Sequence, residues 1–190
     1  MARYGKEHKQ VTRQRIIETA GRRFKESGID GSGIATLMAD AGLTNGAFYA
    51  HFASKEDLVA TIVDEQLRAQ AATFGALPAG RAGLEQFLHE YLSPQHRDAP
   101  GAGCPSAALL DEIGRCANET KHAYTGGARA IVDEIATRLA PEDPRSARGK
   151  AIGLYTMAVG TLQLSRALSD PTFSDEVLEQ GLRNALAFMA

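Results

Sequence analysis

The sequence predicts an all-α fold of about nine helices, and three observations lead to this prediction. Apolar residues recur at the helical spacing i, i+3, i+4 and i+7 through most of the 190-residue chain. Alanine is plentiful and aromatic residues make up only 6% of the chain, a composition that favours closely packed helices over sheet. Glycines and prolines separate the periodic segments and mark helix ends. With 44% hydrophobic residues, the chain can bury a substantial core.

The first helix is predicted over residues 12–27. Ile17, Ala20 and Phe24 lie at i, i+3 and i+7 on its buried face, and Gly28 is its stop signal. The preceding residues 1–11 are polar, and we expect them to be mobile.

A pair of short helices joined at a glycine follows. The second helix has one buried stripe, which consists of Ile34, Leu37, Met38 and Ala41. Gly42 ends this helix, because glycine adopts the left-handed backbone that other residues resist, and Leu43 fills the turn. Thr44 is the predicted N-cap of a third helix over residues 45–51.

The third helix divides its side chains between two sides. Phe48 and Phe52 are predicted to be buried. The outward side is formed by Asn45, Gly46, Ala47 and Tyr49. A recognition helix needs this division, because one side packs on the domain while the other enters the major groove. Residues 33–58 therefore predict a helix-turn-helix that reads DNA.

The fourth helix opens with a capping box in the run Ser-Lys-Glu-Asp, where Ser54 is the predicted N-cap. It extends to about residue 74, and Leu58, Ile62 and Leu67 mark its inner face. The remaining helices are predicted around residues 84–92 and over residues 105–118, 119–139, 145–169 and 174–189. Residues 94–103, rich in proline and glycine, are predicted to be irregular.

Charge is distributed unevenly along the chain. Residues 1–25 hold eight basic and two acidic side chains, which give +6, whereas the other 165 residues hold 13 basic and 21 acidic groups, which give −8. A basic end beside a predicted helix-turn-helix indicates contact with phosphates. The alternative is a solvated basic tail. An acidic body argues against a sequence-independent DNA-packaging protein, which is retained as an alternative function.

The run AGLTNGAFYAHFASKEDL, together with the upstream FKESGID, resembles the N-terminal domain of the TetR family of bacterial transcriptional repressors. The resemblance covers residues 12–60. It implies a three-helix DNA-binding head at residues 1–53 and a helical ligand-binding and dimerisation domain at residues 54–190. It also implies a homodimer that binds a palindromic double-stranded operator and is released by a small-molecule effector, which we expect to be apolar or, if Cys104 is a sensor, electrophilic.

The resemblance implies a set of DNA-contacting residues, which are Thr44, Asn45, Tyr49, His51 and Lys55, with Gly46 and Ala47 beside them. Thr44 and Lys55 would meet phosphates at helix N-termini, and Asn45 can offer a donor and an acceptor to a base edge. Each has a structural alternative: Thr44 as a plain cap, Tyr49 as half-buried packing, Lys55 as solvated charge, and His51 as a cover for Phe52. The chain departs from the family pattern at Gly33, Ala35 and Asn45.

The eighth predicted helix is apolar on two sides. One stripe consists of Ile152, Tyr155, Val159 and Leu162, and the other consists of Leu154, Met157, Leu164 and Leu168. A helix that is apolar on two sides is buried on two sides. This pattern fits the four-helix dimer interface that is typical of the resembled family. The alternative is a thicker monomeric core.

The predicted effector pocket lies between the fifth and eighth helices and is lined by Phe87, Tyr91, Leu110, Ile113, Tyr124 and Tyr155. Each of these residues is equally explained as core. Cys104 stands at a predicted helix start after a glycine-rich loop, where amide dipoles favour a reactive thiolate. It is either a sensor of electrophiles or oxidants, or a small residue that fills a gap beside the pocket.

Other function classes find little support. His89-Glu90 lacks the second histidine of a zinc-protease motif, and neither a phosphate-binding Gly-Lys-Ser/Thr loop nor a Gly-x-Ser-x-Gly elbow is present. We therefore predict no enzyme, no metal and no cofactor. A thiol enzyme that uses Cys104 with His122 remains as an alternative. Without a long apolar run or a signal peptide, the protein is predicted to be cytoplasmic. The spacing of Cys104 and Cys116 argues against an intrachain disulfide.

Overall fold

The computed structural model describes residues 2–189, with side chains from residue 7 onward, and this part of the chain contains helices and no strand. The α-helices are α1 (Ala2–Ser27), α2 (Ile34–Asp40), α3 (Lys55–Thr73), α4 (Gly80–Tyr91), α5 (Pro94–Asp98), α6 (Pro105–Arg115), α7 (Asn118–Leu139), α8 (Arg148–Ala167) and α9 (Pro171–Phe188). Short 3₁₀ helices lie at Asn45–Ala50, Phe74–Ala76 and Pro100–Ala102. The predicted all-α class is confirmed.

Three predicted elements differ from the structure. The mobility of residues 1–11 stays a prediction, and Met1 lies outside the described residues. Helix α1, however, begins at Ala2 rather than at residue 12, so the segment 2–11 is helical. This segment carries good helix formers but no apolar periodicity, so the pattern missed it. The third predicted helix is a 3₁₀ helix. The irregular residues 94–103 contain α5, which Ser93 caps by accepting from the His96 amide at 3.1 Å.

The buried apolar residues form one continuous core that runs from the N-terminal helices into the rest of the molecule. Its centre is the long packing of α3 along α7, with Ile62 and Leu67 of α3 fully buried. Helix α1 packs on α2, α3 and α6, and α8 packs on α9. The predicted inner face of the fourth helix is confirmed. The division into residues 1–53 and 54–190 stays a prediction, with Ser54 as the N-cap of α3.

The two stripes predicted on α8 are wrong in their membership. Ile152, assigned to the first stripe, is 45% exposed, whereas Leu154, assigned to the second, is buried with Tyr155. The exposed face runs along residues four apart, and it consists of Ile152, Thr156, Gly160 and Leu164. Residue type alone did not tell which apolar side faces the core of the same chain.

Candidate nucleic-acid interface and interior cleft

The turn after α2 has the hydrogen bonds of a Schellman motif. Gly42 adopts φ +65°, its amide donates to Ala39 at 2.9 Å, and the Leu43 amide donates to Met38 at 2.8 Å. A side chain at Gly42 would be strained at this positive φ. The predicted role of Gly42 is confirmed, and the turn sets the angle at which the next segment leaves α2.

The segment Asn45–Ala50, here called the recognition segment, is anchored by two buried phenylalanines. Phe48 is fully buried, Phe52 is 2% exposed, and their ring centroids lie 5.7 Å apart. The Arg13 guanidinium of α1 covers the Phe52 ring at 4.9 Å. Tyr49 packs its edge on Phe48 and is otherwise 66% exposed. The segment therefore presents a fixed outward surface.

That outward surface is small and polar apart from Tyr49. Thr44, Asn45 and Gly46 are exposed, and Ala47 is half-buried. The Thr44 backbone carbonyl accepts from the Ala47 amide at 3.0 Å, while its side chain forms no capping hydrogen bond within the part of the chain that is described. Thr44 is thus the predicted N-cap residue by its backbone, whereas its hydroxyl takes no part in the capping.

His51 lies at the end of the recognition segment. Its Nδ1 is buried and has no hydrogen-bond partner among residues 7–189. Burial lowers the pKa of His51, and the positive charges of Lys9 and Arg13 lower it further. The imidazole is therefore neutral at pH 7, and an anion placed beside it would favour its protonation.

Lys55 does not point freely into solvent. Its Nζ donates to the Ile29 carbonyl at 2.5 Å and lies 6.0 Å from the centre of the Phe24 ring. The alternative of a solvated charge is therefore wrong, whereas the phosphate contact stays a prediction. The capping box is confirmed in part: Ser54 accepts from the Asp57 amide at 3.2 Å, and the Asp57 carboxylate accepts from the Ala53 amide at 2.9 Å.

Helix α6 is hydrogen-bonded to the turn between α1 and α2. The Glu112 carboxylate accepts from the Ile29 amide at 2.7 Å and from the Asp30 amide at 3.3 Å. Lys55 holds the carbonyl of the same Ile29 from the other side. Sequence reasoning missed Glu112, because 83 residues separate it from Ile29 and no local pattern marks such a contact.

A cleft of about 410 Å³ opens between α1, α3, α4, α5 and the start of α6. Its lining combines polar and apolar residues and consists of Lys25, Gln66, Ala69, Gln70, Thr73, Tyr91, His96, Ala102, Gly103, Cys104 and Pro105. Two of the predicted effector residues, Tyr91 and Cys104, meet here. Lys25 and Gln70 were missed, because they come from helices outside the predicted pocket.

Cys104 is the N-cap residue of α6 and is 6% exposed. Its thiol donates to Gln70 Oε1 at 3.0 Å, and its amide donates to His96 Nε2 at 3.2 Å. His122 is exposed on α7, and its Nδ1 forms a hydrogen bond with the carbonyl of Asn118 in the same helix. The structure therefore does not bring Cys104 and His122 together as the pair of a thiol enzyme. Both cysteines are free thiols, as the spacing predicted.

The other predicted effector residues are dispersed. Phe87 lies between Phe74 and Tyr91 in an aromatic row, and Ile113 is buried. Tyr124 and Tyr155 both hydrogen-bond the Ser106 hydroxyl, at 3.1 and 2.7 Å. Leu110 lines a separate surface groove beside Gln163. The structure therefore does not gather these residues around the cleft.

Two general features concern residues 2–189. This range contains no helix that is long and apolar enough to span a membrane. It also contains no cluster of three or more histidine, cysteine, aspartate or glutamate side chains that could hold a metal ion.

Comparison with known proteins places the N-terminal part of the chain. The family described as "Bacterial regulatory proteins, tetR family" matches residues 16–62. Over 62 residues, 33% of this chain, the sequence is 40% identical to the HTH-type transcriptional regulator AcrR of Shigella flexneri. Over 64 residues, 34% of the chain, it is 42% identical to the HTH-type transcriptional regulator TtgR of Pseudomonas putida. These matches span only 29% and 30% of the two relatives.

Solved structures extend the likeness to almost the whole fold. The reduced form of NemR from E. coli superimposes with a TM-score of 0.77 at 21% identity, over 92% of this chain and 94% of NemR. A TetR-family regulator from Agrobacterium tumefaciens gives a TM-score of 0.77 at 19% identity, over 93% of this chain and 98% of that protein. At these identities, the likeness shows a shared fold.

Proposed function

We propose that this chain, which is a TetR-family transcriptional regulator, is a homodimeric repressor that binds a palindromic operator and is released by a small-molecule effector. The observation that carries the proposal is the recognition segment, whose polar face is exposed while Phe48 and Phe52 hold it to the core. Dividing a short helical segment in this way serves major-groove binding. As a repressor on chromosomal DNA, the protein would act in the cytoplasm.

The outward residues have distinct proposed roles. Asn45 reads a base edge, because its amide offers a donor and an acceptor side by side. Thr44 and Tyr49 place hydroxyls on phosphates, and Gly46 and Ala47 allow close approach. At the start of α3, the amide dipoles favour a phosphate, and Lys55 would add a positive charge there after leaving Ile29.

The proposed dimer interface lies on α8 and α9. Four of the exposed large apolar side chains are on these two helices: Ile152, Leu164, Phe173 and Phe188. A second copy of the chain would cover them by a two-fold interface in which the same patch meets itself. A recognition pair set one helical turn of DNA apart requires two copies, which makes a second copy the favoured occupant.

Leu164 offers a direct test of assembly, because it is 52% exposed and a charge there costs little in a monomer. In a dimer, Leu164→Glu would bury an unpaired charge. We expect wild type to sediment as a dimer at micromolar concentration and the variant to sediment as a folded monomer. A monomeric wild type would overturn the assembly.

We propose that an effector acts through α3 and α6. Helix α3 carries the recognition segment at its N-terminal end and packs along α7 over its length, while α6 holds the α1–α2 turn through Glu112. Movement of either helix changes the separation of the two recognition segments. Because equivalent groove faces recur only every ~34–36 Å, a shift of a few ångströms weakens binding of both half-sites.

The DNA-binding proposal is tested against its two alternatives by measuring affinity across salt concentrations. A duplex selected from a random library should bind at least ~1,000-fold more tightly than unselected DNA at physiological salt. Equal affinity for both would indicate sequence-independent binding. No binding to either duplex would overturn the repressor and favour a thiol-dependent function of Cys104 that does not use His122.

A further inference from the structure

We propose that the cleft beside Cys104 binds small α,β-unsaturated carbonyl compounds and that the Cys104 thiol adds to their β carbon. The inference rests on the repressor proposed above, because it names the effector class and the site of its action.

Cys104 is positioned as a nucleophile rather than as a filler. One side of its thiol meets Gln70 Oε1 at 3.0 Å, and the residue also lines the cleft of about 410 Å³, which admits a small molecule. Its backbone is held in place by the His96 ring, which accepts from the Cys104 amide. His96 Nδ1 is engaged with the Tyr91 carbonyl at 2.8 Å, so both ring nitrogens are occupied and this histidine does not serve as the base.

The Tyr91 hydroxyl independently indicates a ligand. Tyr91 lines the same cleft and is 4% exposed, and its hydroxyl adjoins the Cys104 thiol but has no other hydrogen-bond partner among the described side chains and backbone. A buried polar group left unpaired costs about 1–3 kcal/mol, and native proteins rarely tolerate one. Burial, followed by the neighbouring Cys104, raises the pKa of Tyr91, so the hydroxyl stays a donor. A carbonyl oxygen is the acceptor that it lacks.

Lys25 adds a positive charge to the cleft. Its Nζ donates to the Gly103 carbonyl at 2.8 Å, which leaves two of its three protons free for other acceptors. Burial lowers the pKa of Lys25 to about 8, so the ammonium still predominates at pH 7. An oxygen that gains negative charge during the addition is stabilised by the donors of Tyr91 and Lys25.

The addition balances without an oxidant or reductant. The thiol proton passes to water in the cleft, and the sulfur lone pair forms a bond to the β carbon. The π electrons of the C=C bond move to give an enolate, whose oxygen Tyr91 and Lys25 hold. The α carbon then takes a proton from water and the C=O bond is restored. The net result is addition of S–H across the double bond.

The adduct lies where it can reach the DNA-binding head. Cys104 caps α6, the preceding Gly103 is bonded to Lys25 of α1, and Glu112 on the same helix holds the Ile29 amide. A group attached to Cys104 displaces the start of α6 from α1. The turn before α2 then loses its fixed position, and the recognition segments separate from the operator.

The test compares two reagents of similar size on the full-length protein: but-3-en-2-one, which has the carbonyl oxygen, and allyl bromide, which lacks it. Peptide mass spectrometry gives the second-order rate at each thiol. The ratio of the two rates at one thiol cancels that thiol's own ionisation, so Cys116 serves as an internal control. We call the rate with but-3-en-2-one divided by the rate with allyl bromide the enone preference of a thiol. We expect the enone preference to be at least tenfold larger at Cys104 than at Cys116.

Tyr91→Phe removes only the hydroxyl beside Cys104 and should leave the fold intact, which thermal unfolding checks. The variant should lose the enone preference at Cys104 while its rate with allyl bromide stays within twofold. Equal preferences at the two thiols, or equal slowing of both reagents in Tyr91→Phe, would overturn the site.

The effect of the modification on repression is tested by DNA binding. Treatment with but-3-en-2-one should release the selected duplex from wild type and leave Cys104→Ser bound. Modified protein that still holds the duplex would refute the effector assignment. Failure of untreated protein to bind any selected duplex would instead refute the repressor, and it leaves the rate comparison intact.

Discussion

Replacing Glu112 by alanine should loosen the turn between α1 and α2 without disturbing the helices around it. The carboxylate accepts from the Ile29 amide at 2.7 Å and from the Asp30 amide at 3.3 Å, and it thereby links α6 to the DNA-binding head. Ile29 is 6% exposed, so its amide would be left poorly solvated after the substitution.

The size of the effect follows from these two bonds. A hydrogen bond to a charged group contributes about 1.5–3 kcal/mol. The longer bond is solvent-exposed, and water replaces most of it. We therefore expect local opening of the turn to become easier by about 2 kcal/mol, which corresponds to roughly 30-fold faster exchange of the Ile29 amide hydrogen.

Amide hydrogen exchange followed by NMR measures this opening at single residues. The matched control is Asp111→Ala on the same helix, whose carboxylate is 87% exposed and bonds Arg115 one turn away. Such a pair contributes ~0.3–0.5 kcal/mol, so Ile29 exchange should stay nearly unchanged. If Glu112→Ala exchanges Ile29 no faster than Asp111→Ala does, α6 does not hold the head and the proposed coupling route is wrong.

Three further predictions concern the interfaces. Asn45→Ala should weaken binding to the selected duplex and leave binding to random DNA unchanged, whereas Lys55→Ala should weaken both and reduce the salt slope by about one. Fluorescence anisotropy distinguishes the two patterns. If Asn45→Ala lost equal affinity for the selected and the random duplex, Asn45 would not read a base. Gly160→Ala should weaken the dimer at least ~10-fold by adding a methyl group to the interface. A Cβ at Gly126 likewise meets no atom of the same chain within 4 Å, so Gly126→Ala should only stabilise its helix by ~0.5–1 kcal/mol. Equal sedimentation of the two variants would contradict the interface. DNA affinity should rise as pH falls from 7.5 to 5.5, because burial lowers the pKa of His51 in the free protein and a bound phosphate favours the imidazolium. A His51→Gln variant with the same pH dependence would refute this contact.

The parts of the fold that were predicted from sequence are those determined by neighbouring residues. Gly42, with its positive φ, ends α2 because the backbone requires it there. Phe48 and Phe52 are buried by their spacing, and Ser54 caps the helix that follows it. Each of these signals lies within a few positions of the feature that it specifies.

The parts that were not predicted depend on contacts between distant segments. Glu112 meets Ile29, and Lys25 meets Gly103, across separations of 83 and 78 residues, so no pattern along one helix marks either pair. On α8, apolar residues predicted burial on two sides, but only packing against the rest of the chain decides which side is left exposed. The cleft is likewise formed by five helices, and its lining residues carry no shared sequence signal.

In the proposed repressor, two copies of this chain bind one operator through their recognition segments. The most direct measurement is the mass of the complex with a selected duplex, by analytical ultracentrifugation, combined with a hydroxyl-radical footprint. We expect two chains per duplex and two protected half-sites related by two-fold symmetry, about one helical turn apart. One chain per duplex, or protection without a repeated half-site, would contradict it.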